Sequence, residues 1–183
     1  MKDNKKLLII RQAKISDLKE IFKLEKLVWK NDSATLESLT KRIEIFPQCF
    51  CVVYYNKQLI GMANSALLSY PYKVTEYNQA FFPWERVHNP NGETLLLYCS
   101  TVNPEFRNKG IWKEMLNFRI NYAKKYKYIK RIWVIGRTIK NKYGPDTASL
   151  LEKFGFNRIK KFPMGKTMNQ TLLELKHPYT LKL

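Results

Sequence analysis

Apolar residues along this chain switch repeatedly between a repeat of two and a repeat of three to four, so the sequence predicts short strands alternating with amphipathic helices. Residues 7–11 read as a first strand. Ser16 then stands at an N-cap position before Leu18, Ile21, Phe22, Val28 and Trp29, which keep helical spacing. A second helix is predicted over 35–46, with Leu36, Leu39 and Ile43 on one side and Pro47 ending it. Residues 49–55 and 58–68 form two strands around Asn56-Lys57, the pattern of a hairpin. The core strands are expected at 94–102 and 130–137. The run Ile132-Trp133-Val134-Ile135 is apolar on both faces, as in a strand covered by helices on each side. Between these strands a helix over about 110–126 aligns Ile111, Met115, Phe118 and Tyr122, and the order strand, helix, strand makes a parallel crossover. A shorter helix over 146–154 stops at Gly155, and a last strand at 171–176 alternates enough to sit near an edge.

The connection at 69–92 is long, aromatic and broken by Pro71, Pro83 and Pro90, which marks it as a functional loop. No repeat, low-complexity segment or linker divides the chain, so its 183 residues are expected to form a single domain over 1–183. The first residues hold only four consecutive apolar positions, too few for a signal peptide or a membrane span, and no membrane association is expected. Three cysteines, Cys49, Cys51 and Cys99, form no C-x-x-C pair, which argues against a zinc site or a disulfide framework and for a cytoplasmic protein without a metal. Cys49 and Cys51 are expected to be buried on one strand face.

Net charge changes the picture only partly. The 33 Lys and Arg against 15 Asp and Glu leave +18, which attracts polyanions, yet the charges are spread from Lys2 to Lys182. Nucleic acid is therefore expected to bind only nonspecifically and in a salt-dependent way, if at all.

The most informative stretch is 95–115, LLLYCSTVNPEFRNKGIWKEM, in which an apolar strand runs through a basic turn into an amphipathic helix. The first N–H groups of a helix lack partners and carry partial positive charge, so Asn108, Lys109, Gly110 and Ile111 form an anion cradle. Arg107 flanks it as a phosphate ligand. The order Val102-x-Pro104-Glu105-Phe106-Arg107-x-x-Gly110-Ile111 resembles motif A of the GNAT acetyltransferases. Leu150-Leu151-Glu152-Lys153-Phe154-Gly155-Phe156 is similar to the family's "YEKxGF" segment, with Leu151 where the family often has a tyrosine acid. His88-x-Pro90-x-Gly92-x-x-Leu95 resembles a motif of one GNAT subgroup, together with Ile135-Gly136-Arg137.

This resemblance implies an α/β GNAT fold, a mixed central sheet of about six or seven strands flanked by about four helices. It implies acetyl-CoA as co-substrate and an amine of a small molecule or protein as acceptor. By the same resemblance Ser100, Thr101 and Val102 offer backbone groups to pantetheine, and Arg107, Asn108, Lys109, Gly110 and Ile111 hold the pyrophosphate. Trp112 stands where the family has Gly or Ala; it either stacks on the adenine or packs into the core, and the second is favoured. Asn141 and Lys142 precede the last helix, where the family often contacts cofactor. For the general base the sequence offers Glu93, then His88, then Tyr98, since deprotonating an ammonium needs a group with a pKa close to working pH. Glu85 also borders the core strand, and His177 lies in the tail. An altered GNAT-like module that holds a polyanion is the alternative function, and the sequence leaves monomer and homodimer open.

Overall fold

The computed structural model describes residues 8–70, 87–138, 146–164, 168–176 and 178. Glu85, Asn141, Lys142, His177 and most of the long connection lie outside the described residues.

Leu8–Gln12 forms β1, and a short 3-10 turn at Ile15–Asp17 leads into α1, Leu18–Trp29. Asp17, not Ser16, organises this entry. Its carboxylate receives both Arg11 guanidinium nitrogens at 2.7 Å, the Lys14 N–H at 2.8 Å and the Tyr54 hydroxyl at 2.8 Å. Arg11 foremost, helped by the Lys14 N–H and Tyr54, outweighs the cost of burial and holds the Asp17 carboxyl down at about 2. A depressed carboxyl stabilises the fold above its unfolded value of 3.8, and that contribution is lost as pH falls through about 2. Asp17→Asn should therefore lower stability by about 1–2 kcal/mol at neutral pH, a gap that narrows below pH ~4. Urea unfolding at pH 7, 4 and 2 checks this; a gap independent of pH would contradict it.

The helix α2 spans Leu36–Ile45, with the Thr35 hydroxyl accepting from the Ser38 N–H as its N-cap. Strands β2, Cys51–Tyr55, and β3, Gln58–Leu68, pair across Asn56 and Lys57, both left-handed as a two-residue hairpin turn requires. Cys49 lies in the 3-10 turn before β2 and not on the strand. Both Cys49 and Cys51 are fully buried, as expected. Then come β4, Thr94–Val102; α3, Ile111–Lys125; β5, Arg131–Arg137; and α4, Thr147–Glu152. The chain ends its described part with β6, Asn157–Met164, and β7, Met168–Lys176.

These strands make one mixed seven-stranded sheet in the order β1-β2-β3-β4-β5-β7-β6. Only β4 and β5 are parallel, as the crossover predicts. The last strand lies near an edge, as its alternation predicts, although a strand the pattern did not reveal forms the edge itself. The strand β7 lies between β5 and β6, and Leu172, Leu173 and Leu175 are buried on its two sides. The hidden strand β6 starts NRIKK, whose charges mask its pattern and suit an edge.

One sheet face is covered by α3 and α4, with Leu95, Leu97, Leu116, Ile120, Ile132, Val134 and Leu151 in its core. Against the other lie α1 and α2, with Ile21, Leu24, Leu39, Ile43, Val52 and Met62. Leu96, Tyr98, Trp133 and Leu172 continue that second face beyond the helices. Among the described residues no helix is long and apolar enough to cross a membrane.

Candidate active site

The parallel pairing of β4 with β5 is short. It runs from Thr94↔Arg131 to Leu97↔Val134 and stops, although both strands continue, to Val102 and Arg137. Beyond Leu97 the two strands separate, and among the described residues the β4 backbone over 98–102 has no strand partner on its β5 side. On its other side β4 still pairs with β3, through Cys99↔Asn64, Ser100↔Ala63, Thr101↔Met62 and Val102↔Gly61. A bulge between Asn64 and Ser65 of β3 leaves Tyr98 as the extra residue on β4. Such a bulge inverts the alternation of side chains. Tyr98 and Thr101 consequently reach the α1–α2 face, and Ser100 reaches the α3 face.

After β4 the chain turns through Pro104–Phe106 and Asn108 into α3. Asn108, at φ 61°, and Gly110, at φ 80°, are both left-handed, which bends the backbone sharply on either side of Lys109. Gly110 is the N-cap and carries no capping side chain. The first hydrogen bond of the helix runs from the Glu114 N–H to the Gly110 carbonyl, so the amides of Ile111, Trp112 and Lys113 precede the ladder. Among the described residues, nothing would lie within 4 Å of a β-carbon on Gly110, and none of them closes off the space in front of these amides.

Two arginines frame that opening. Arg137 ends β5, its N–H donating to Thr147 Oγ1 at 2.8 Å. Burial, and next the charge of Arg107, push its guanidinium below the usual arginine range. Two like charges held close at an uncapped helix N-terminus fit a dianionic group such as a pyrophosphate. Lys109 sits with its ammonium 5.0 Å from the Phe106 ring centre at the rim. The Trp112 ring packs edge-on to Phe154 at 6.1 Å and against the α3–α4 core, the core reading favoured from sequence. Leu151 is buried in that core.

Under the bulge lies Arg119 of α3, 2% exposed. Its guanidinium donates to the carbonyls of Met115, Asn64 and Cys99 at 3.1–3.4 Å and to Ser100 Oγ at 2.8 Å. Burial pulls its proton affinity down, and thiols, not carboxylates, are the groups that oppose this. The site thus holds a buried positive charge directly beneath β4.

On the opposite face Glu25 of α1, also buried, reaches the same strand. Thr101 Oγ1 donates to Glu25 Oε2 at 3.3 Å, the Ala34 N–H donates to Oε1 at 3.1 Å, and Trp29 Nε1 donates to Thr101 Oγ1 at 2.9 Å. Burial raises the Glu25 carboxyl above the ordinary carboxylate range, against the Ala34 N–H, the Arg42 charge and Thr101. Arg42 of α2 lies over the Tyr98 ring at 4.8 Å. Cys99 Sγ is 3.6 Å from Thr101 Oγ1, and burial, then Glu25, push its thiol up to about 11.

Of the three residues considered as base, only Tyr98 lies where the strands part. Glu93 precedes the first β4–β5 pair and is held by Arg131 at 2.7 Å, about 13 Å along the strand from Leu97. His88 sits on the end of β3, where its Nδ1 accepts from the Leu67 N–H at 3.2 Å and its ring meets Phe46 at 4.8 Å. Burial pushes its pKa down, so the ring is neutral at physiological pH. Glu25, Arg42, Arg119 and Arg137 carry much of the site's charge and were not singled out from sequence as site residues. A signal existed for three. Glu25 falls in the series Ile21, Leu24, Glu25, Val28; Arg42 in Leu39, Arg42, Ile43, Phe46; and Arg119 in Ile111, Met115, Arg119. Each is a charge on an apolar helix stripe.

No curated protein matches the sequence. Among solved structures, the loading GNATL domain of CurA from Lyngbya majuscula is similar, with a TM-score of 0.78, 18% identity, and 93% of this chain and 98% of that one covered. The GNAT-like decarboxylase GphF in complex with isobutyryl-CoA gives 0.77 at 17% identity, covering 92% and 98%. The ribosomal-protein-S18-alanine N-acetyltransferase from Escherichia coli gives 0.64 at 13%, covering 93% and 94%. The model of the acetyltransferase (GNAT) family matches residues 15–156. With the parted strands, the bulge and the uncapped helix start in the same stretch, the chain belongs to the GNAT acetyltransferase family.

Proposed function

We propose that the protein is an acyl-CoA-dependent N-acyltransferase that passes an acetyl group directly to an amine of a small molecule or protein. The observation that carries this is the parting of β4 from β5 in front of an uncapped, arginine-framed helix start. In this reading Arg107, Arg137 and the backbone of Asn108, Lys109, Gly110, Ile111 and Trp112 hold the pyrophosphate. Backbone groups of Ser100, Thr101 and Val102, unpaired toward β5, take the pantetheine arm. Bound acetyl-CoA supplies an activated thioester.

The chain's own residues do the rest. Arg119 gives the bulge a positive potential that favours negative charge above it; three hydrogen bonds, to Asn64, Cys99 and Ser100, fix the bulge in place, and a fourth anchors the guanidinium to its own helix at Met115. The Thr101 hydroxyl already donates to Glu25, so a proton released beside Thr101 passes to a carboxylate whose affinity for it is raised. Tyr98 closes the wall on the acceptor side. Glu93 and His88 are not carried into this reading, because one is bound to Arg131 and the other to β3.

Cys99 is the one thiol on the parted strand, so an acyl-cysteine route is the mechanism to test against. A thiol raised to about 11 is almost wholly protonated at pH 7 and a poor nucleophile. Cys99→Ser should keep most of the acetyl transfer found for wild type across an amine panel, followed as acetylated product by mass spectrometry. Trapping of acetyl on Cys99, with turnover lost in the serine variant, would refute direct transfer. Hydrolysis without transfer to any amine or protein amino group would refute the N-acyltransferase itself.

A further inference from the structure

On the α1–α2 side of the sheet Asn64, Trp133 and Glu174 each have a buried polar side-chain atom with no hydrogen-bond partner. Asn64 adjoins the bulge and belongs to the site already described. Trp133 Nε1 and Glu174 Oε2 do not. Trp133 lies on β5 and Glu174 on β7, direct partners in register, so their side chains stand next to one another on one face. That face is the one of Tyr98, since Trp133 clusters with Leu96, Tyr98 and Leu172, whereas Leu173 and Leu175 point to the other core.

Both side chains are more than nine-tenths buried, Trp133 at 5% exposure and Glu174 at 8%. A buried polar atom without a partner costs stability, and a carboxylate oxygen more than most. Among the described residues, Glu25 is taken by Thr101 and the Ala34 N–H, and Glu93 by Arg131. Arg131, the nearest cation in register along β5, is committed to Glu93 and to the Tyr70 ring, 3.8 Å from its centre. What the pair offers is therefore one donor beside one acceptor. A hydroxyl is the smallest group that answers both, donating to the carboxylate and accepting from the indole.

We propose that Trp133 and Glu174 form an acceptor subsite that reads a hydroxyl group on the amine substrate. The inference rests on the acyltransferase reading for the place of the reacting amine. From the parting of the strands at Tyr98 and Ile135 to the Trp133–Glu174 row is two residues along the strand and one strand across, about 8 Å. The acceptor is thus a hydroxylated primary amine of roughly sugar size, in which about four to six carbons separate nitrogen from oxygen.

The test uses linear amino alcohols of two to eight carbons and the n-alkylamines of matched length, bound calorimetrically to the full chain with and without CoA. Wild type should prefer the amino alcohol by at least tenfold, with a maximum near five carbons, because hydrogen bonds to charged groups contribute about 1.5–3 kcal/mol each. Glu174→Met should erase the preference without lowering the melting temperature, since it removes a buried carboxylate oxygen, Oε2, that has no partner. Trp133→Phe should reduce it partly. Equal affinity for amino alcohols and alkylamines in wild type overturns the proposal and leaves water as the occupant. A preference unchanged in Glu174→Met overturns it as well. Failure of CoA to bind while the amino-alcohol preference stands would strike the acyltransferase reading instead.

Discussion

Gly110→Glu is expected to remove the thermal stabilisation that acetyl-CoA gives the wild-type protein. A ligand specific for the folded state adds about 2.7 kcal/mol at a hundred times its dissociation constant, which for a chain of this size raises the melting temperature by about 5–10 °C. The uncapped amides of Ile111, Trp112 and Lys113 and the paired Arg107 and Arg137 are the groups that would supply that affinity. A glutamate side chain at position 110 enters the open space in front of them and brings a carboxylate that competes for the same donors. The left-handed φ of 80° makes any residue with a side chain costly here, so the unliganded variant itself melts lower. The decisive quantity is therefore the ligand-dependent shift, not the absolute temperature. Gly110→Asn separates the two effects: asparagine tolerates the left-handed region and carries no charge, so it should keep most of the shift. An equal shift in wild type and Gly110→Glu would place the cofactor elsewhere.

Elements with a clean apolar period were legible in the sequence. The strands β3 and β4 begin and end where the pattern places them, and α1, α2 and α3 follow their apolar stripes. The strand β6 was missed, because an edge strand carries charges on the positions where alternation would be read. The near-edge position of β7 was legible, but its outer neighbour, on which its burial on both sides depends, was not. The cofactor cradle was readable because its chemistry lies in backbone groups of consecutive residues. The acid and base chemistry was not, because it is assembled across elements. Glu25 comes to Thr101 from 76 residues away, and Arg119 reaches Asn64 across 55. A carboxylate on an apolar helix stripe is a local anomaly, but only the fold says which strand it faces. The bulge at Tyr98 adds a second obstacle, since strict alternation would place Thr101 and Tyr98 on opposite faces of the sheet.

The segment His88-x-Pro90-x-Gly92 invites a chemical reading and has an architectural one. Here the chain docks on the end of β3: the Leu67 N–H donates to His88 Nδ1, the Asn89 N–H returns to the Leu67 carbonyl at 2.8 Å, and Asn89 Nδ2 donates to Ser69 Oγ at 2.7 Å. The Gly92 N–H closes the turn on the Asn89 carbonyl at 2.8 Å, two residues before β4 begins. A β-carbon on Gly92 would lie 2.5 Å from the Leu68 carbonyl oxygen and 2.8 Å from its nitrogen. Backbone cannot move aside as a side chain can. Gly92→Ala should therefore cost about 3 kcal/mol or more, the upper end of overpacking penalties, whereas Asn91→Ala at its exposed neighbour should stay within about 0.5 kcal/mol. Urea unfolding of the two variants measures both, and a loss below about 1 kcal/mol for Gly92→Ala would mean that the β3–β4 junction yields easily. Thr94 pairs with Leu68 and with Arg131, so relief of the clash has to push the start of β4 against one neighbour or the other. Any such displacement runs along β4 to the bulge that Arg119 pins. Surviving folded Gly92→Ala should for that reason also bind acetyl-CoA less tightly, although position 92 lies far from the cradle, and affinity equal to wild type would show that the bulge is held from below and not from the strand's origin.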